Sequence, residues 1–139
     1  MPGPLDVMTQ SAYIHFKSDS FPIIPGEDEE TNPGLFGKSL AEWLSLRLQE
    51  KGLVPEEVIA EDFGWCVPVP CPPYRAYVAC GVSREAGSDW GVYAFAEGGL
   101  FSRLIGRDKR AETLSSLYAT VKICLEEAPE IRNLRQESE

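Results

Sequence analysis

A single histidine, four cysteines and thirteen basic residues stand against 22 acidic ones in this chain of 139 residues, and each scarcity removes a class of function. One imidazole, His15, excludes a metal site built from several histidines, and no nucleophile partner for it is identifiable along the chain. Cys66, Cys71, Cys80 and Cys124 are too few and too scattered through apolar segments for a secreted disulfide scaffold, and they read as reduced core thiols. Four residues separate Cys66 from Cys71, whereas zinc ribbons and redox sites use tighter pairs. The formal charge of −9 repels a phosphate backbone and argues against nucleic acid as a partner. No apolar run approaches the roughly 20 residues that cross a bilayer. Met1-Pro2-Gly3-Pro4 also lacks the basic and apolar regions of a signal peptide, so the chain reads as cytoplasmic, with no membrane partner. No internal repeat is present.

What remains is a globular composition, 43% hydrophobic and 25% charged, at a length that suits one domain. Residues 1–10, with two prolines and a glycine, read as a loose leader, residues 11–128 as the domain, and residues 129–139 as a polar, frayed tail. Between Ser11 and Lys17, Ala12, Ile14 and Phe16 alternate with Tyr13, His15 and Lys17, the period of a half-buried strand. A proline-rich segment with the acidic run Glu27-Asp28-Glu29-Glu30 follows and reads as a solvated loop. Thr31 or Asn32 can then cap a helix that has Pro33 in its first turn and runs to about Lys51 before the stop at Gly52. Its apolar stripe comprises Phe36, Leu40, Trp43, Leu44 and Leu48. Strands are expected over about 64–70, 74–82 and 90–97, and a last helix from about Asp108 to Ala128, on Leu114, Leu117, Tyr118, Val121 and Leu125. The predicted fold is α+β in the order β-α-β-β-β-α, a four-stranded, largely antiparallel sheet with both helices packed on one face and the other face open.

No motif in the chain carries a reaction, and no catalytic residue, metal ligand or cofactor follows from the sequence. Gly37-Lys38-Ser39 resembles the end of a phosphate-binding loop, but Asn32 stands where that loop needs a glycine. Glu61, Asp62 and Glu97 would act as paired carboxylates only if the fold joined them. Strand parity places Tyr77 and Tyr93 opposite Val78 and Val92, hence on the open face beside Tyr13 and His15, where aromatic rings can anchor a ligand. Gly98-Gly99 with Arg103 and Arg107 adds backbone and cations able to hold an anion.

Thr31-Asn32-Pro33-Gly34, Glu61-Asp62-Phe63-Gly64-Trp65 and Trp90-Gly91-Val92-Tyr93 resemble the pattern of small uncharacterised bacterial proteins. That resemblance implies a bacterial cytoplasmic protein and carries no activity. The charge balance supports a non-enzymatic binding or adaptor protein whose acidic residues Glu27, Asp28, Glu29, Glu30, Glu61 and Asp62 engage a basic protein partner. The alternative is a protein or enzyme that binds an anionic small molecule through Tyr77, Tyr93, Arg103 and Arg107. A homodimer through the open face is a third expectation.

Overall fold

Period-two alternation and two amphipathic stripes build a sheet with helices on one side. The computed structural model describes residues 8–82, 89–97 and 109–137. In chain order these form β1 (Met8–Gln10), β2 (Tyr13–Lys17), α1 (Lys38–Glu50), β3 (Ile59–Glu61), β4 (Gly64–Cys71), β5 (Tyr74–Val82), β6 (Asp89–Glu97), α2 (Arg110–Glu127) and β7 (Arg132–Glu137). The strands make one antiparallel sheet in the order β3-β4-β5-β6-β2-β7, with β1 also on β6. Because β1 and β2 lie end to end along the same side of β6, the sheet has six strand positions and open edges at β3 and β7. No helix among the described residues is long and apolar enough to cross a membrane.

The expected α+β class, antiparallel sheet and one-sided helices are present, but four strands understate the sheet. β1 lies within the expected leader and β7 within the expected tail. In β7 only Leu134 packs against the main core, and the other side chains are exposed polar groups, so its hydrophobic alternation is almost silent. Three residues of β3 are likewise too short to show a period. The start of α2 at Arg110 follows the expected helix closely, although Asp108 lies outside the described residues.

The core lies between the sheet and the two helices. Ile14 and Phe16 from β2, Trp65, Val67 and Val69 from β4, Val78 from β5 and Trp90 and Val92 from β6 meet Leu40, Leu44 and Leu48 of α1 and Leu117, Val121 and Leu125 of α2. Residues Trp65 to Val69 are buried without a break, because β4 is covered on both faces. Pro68 and Pro70 fit there because their backbone nitrogens point away from β5. On that outer side the Pro68 carbonyl accepts from the Glu56 amide at 2.9 Å.

α1 starts five residues later than expected. Residues 31–37 form turns instead of a first helical turn: the Thr31 hydroxyl donates to the Leu35 carbonyl at 2.7 Å, and Gly37, at φ 150°, is the N-cap. A residue from far upstream does the capping. One carboxylate oxygen of Glu27 accepts from the amides of Gly37 at 2.7 Å and Lys38 at 3.1 Å, while the other accepts from the Ile24 amide at 2.9 Å. Glu27 is buried, and Phe21, wedged edge-on against Trp43 and Trp90, fixes the preceding segment, so the stretch expected as a solvated loop is anchored in the interior. At the other end Gly52, at φ 95°, terminates α1 as its sequence position implies.

Removing the remote cap leaves buried amides without an acceptor. Glu27→Ala is therefore expected to lower the unfolding free energy by about 2–3 kcal/mol, and Glu29→Ala, on an exposed side chain two residues away, to change it by less than about 0.5 kcal/mol. Urea denaturation of the two variants checks this, and equal effects would contradict the capping role.

Candidate functional site

Pairing across the sheet orders the side chains of the helix-free face into rows. Cys66, Ala79 and Tyr93 are successive partners, and the Tyr13 ring lies 4.6 Å from that of Tyr93. Gly81, Gly91, His15 and Arg135 form the next row, and Asp89, Lys17 and Arg132 the one after it. Two facing glycines leave a bare strip of backbone between the rows. Over it opens a cleft of about 470 Å³, bounded by the rings of Tyr13, His15 and Tyr93 and walled by Phe63 from the β3–β4 turn and Leu35 from the loop before α1.

Most polar side chains around this cleft have partners. His15 Nε2 lies 2.8 Å from a Glu137 carboxylate oxygen, its ring parallel to Tyr13 at 5.8 Å, and Lys17 pairs with Asp89. Arg135 differs: its only polar contact is a 3.5 Å one to the Asn133 carbonyl, with no carboxylate partner among the described residues. Tyr93 is half-buried; burial first, then its neighbours Tyr13 and Cys66, push its hydroxyl up to about 12. Burial, aided by the Glu61 carboxylate, likewise pushes the Cys66 thiol up to about 12, and all four cysteines are free. Cys66 and Cys71 lie on opposite faces of β4, so the two thiols do not form a redox pair.

A second concavity lies on the helix side of β3. It is a groove of about 1020 Å³ between the outer face of α1 and residues 55–60, with Trp65 in its floor. Glu30, Glu42, Glu56 and Glu57 border it, against one lysine, Lys38, whose ammonium sits 5.3 Å from the centre of the Trp65 ring. Arg75 reaches Glu56 at 3.7 Å. Leu46, 55% exposed, gives the groove an apolar lip.

The structure divides the six acidic residues singled out in the sequence. Glu27 is withdrawn from any contact surface by its burial at the start of α1. Asp28 accepts from the Gly34 amide at 2.9 Å and holds the loop. Glu29 and Glu30 are exposed, and Glu30 borders the groove. Glu61, the last residue of β3, and Asp62, in the β3–β4 turn, are exposed, and the Asn32 amide ties that turn to the acidic loop through the Asp62 carbonyl at 3.0 Å. Glu97 faces Arg75 at the other end of β5 and makes no pair with Glu61. Tyr93 lines the open-face cleft, whereas Tyr77 stacks on Phe95 at 4.9 Å, outside it. Arg103, Arg107 and the Gly98-Gly99 segment lie outside the described residues.

Sequence reading missed Glu42, Glu56 and Glu57 in the groove and Gly81, Gly91 and Arg135 at the cleft. Parity with Ala79 and Tyr93 already assigns both glycines to the open face, but their alignment depends on pairing register. Comparison with family models, curated proteins and solved structures gives no match, and the resemblance of residues 31–34, 61–65 and 90–93 to small bacterial proteins gains no support from it.

The raised Tyr93 sets a pH dependence. Its hydroxyl stays protonated in the fold above its ordinary value near 10, while the unfolded chain ionises there, so stability is unaffected by Tyr93 below pH 10 and falls as pH rises from about 10 to about 12. Tyr93→Phe is expected to flatten this alkaline loss, as measured by denaturation midpoints across that range.

Proposed function

We propose that this protein is a non-enzymatic binding protein that holds a basic segment of a partner protein in the groove between α1 and β3. The observation that supports the reading is the groove's border: four carboxylates and one ammonium around the apolar side chains of Leu46, Pro55, Val58 and Ile59. Charge of one sign on a concave surface steers an oppositely charged partner and selects against acidic ones. Those apolar side chains add contact area that a lysine or arginine stem can cover while its head remains at the rim. Glu61 at the end of β3 and Asp62 on the turn tied to the acidic loop extend the negative surface, and the chain's net charge of −9 favours the same class of partner.

This reading keeps an acidic surface as the contact but moves its centre. Glu42, Glu56 and Glu57 replace the inward-facing Glu27 and the loop-holding Asp28. Self-association through the open sheet face is the competing reading, and such a dimer would have to cover the His15–Glu137 and Lys17–Asp89 pairs.

A fluorescent peptide of alternating lysine and leucine serves as probe in anisotropy titrations. Its affinity is expected to fall by about tenfold between low and moderate salt, and by a similar factor in the double variant Glu42→Lys, Glu57→Lys. Binding indifferent to both changes would refute the groove as the contact surface.

A further inference from the structure

The bare glycine strip on the open sheet face is a different kind of site from the acidic groove, and no side chain among the described residues fills it. We infer that the cleft over Gly81 and Gly91 binds a small planar aromatic molecule bearing one anionic group, with the ring on the glycine backbone and the anion at Arg135. Three features carry this: shape, lining and the balance of charge.

The shape follows from register. Gly81 faces Gly91, and Gly91 faces His15, so the middle of the row has no side chain. The space above it is real for each glycine. A Cβ placed at Gly91 would meet only His15, at 3.5 Å, and one at Gly81 would meet only the Phe63 carbonyl, at 3.9 Å. Neither has the positive φ that would demand glycine on conformational grounds. Glycine in a strand interior weakens the sheet, and a common reason for it is close approach of another group to the backbone. Here that approach has a volume of about 470 Å³, within the range of small-molecule sites.

The lining is aromatic on three sides, from Tyr93, His15 and Phe63, so a flat ring on the strip meets π-faces or edges in each direction. Charge then fixes the class. Lys17 at the cleft already has a carboxylate partner in Asp89, and the His15 imidazole lies against the Glu137 carboxylate. Arg135, at the end of the glycine row, has none among the described residues, and its planar fork suits a carboxylate, sulfonate or phosphate. A positively charged ligand would meet that guanidinium directly.

The probe is 2-naphthoate, with the neutral 2-naphthalenemethanol as comparison, titrated into uniformly nitrogen-15-labelled protein. Saturable shifts of the Gly81 and Gly91 amide resonances are expected with both probes, larger at equal concentration for the anion. Gly91→Val fills the strip without a backbone clash and is expected to weaken both probes by tenfold or more. Arg135→Gln, on an exposed edge strand, is expected to weaken naphthoate about tenfold and to leave the neutral probe unchanged. Absence of saturable shifts at millimolar probe, or shifts that survive Gly91→Val, would overturn the site. Equal naphthoate affinity in Arg135→Gln and the parent would overturn the anionic class.

Discussion

The carbonyl oxygen of Cys80 has a glycine against it on two sides. A Cβ at Gly37 or at Gly64 would stand 2.7 Å from that oxygen, closer than such atoms approach, and both residues have φ values, 150° and 140°, that side chains rarely allow. This close packing draws two segments onto the end of β5. Through Gly37 it brings in the start of α1, whose amides then face the buried Glu27 carboxylate. Through Gly64 it brings in the β3–β4 turn, which places Phe63 over the open face and Trp65 under the groove. Both concavities therefore depend on one strand carbonyl and the two residues that can sit beside it.

The two faces of the sheet do different work. Toward the helices, large apolar side chains interlock, and burial there supplies most of the stability. On the other face a smaller apolar patch of Cys66, Ala79 and Phe95 gives way to the His15–Glu137 contact and the Lys17–Asp89 ion pair toward β2 and β7. Exposed polar contacts of this kind contribute little to stability. Their effect is positional: they hold His15 and Lys17 at the border of the bare strip. Adjacent residues of β4 serve opposite sides, since Trp65 floors the groove while Cys66 belongs to the open face.

Local periodicity made the strong elements legible. Ile14 and Phe16 announced β2, the leucines of α1 and the Leu114-to-Leu125 repeat announced the helices, and Gly52 marked a helix end. What stayed hidden depends on partners distant in sequence. Thr31 and Asn32 are good capping residues by type, yet a carboxylate ten residues before Gly37 does the capping, and no local rule reports that. β7 is polar because it is an edge with little to bury. The acidic run looked like a uniform surface, but one of its members points inward and another holds a turn. For the cleft, Tyr93 was readable from parity, whereas the alignment of Gly81, Gly91, His15 and Arg135 needed the register of four strands.

Pro68 and Pro70 also govern what happens between molecules. An open sheet edge invites a strand from a neighbouring chain to add itself, which is how many β proteins aggregate. Here the outer side of β4 offers no amide at either proline, and the Pro68 carbonyl there is already taken by the Glu56 amide. Only the three residues of β3 present a regular edge on that side, while at the far edge β7 carries Arg132, Arg135 and Glu137. A sheet so bordered can keep its groove and its cleft open to visitors and still resist growing by strand addition when the protein is concentrated.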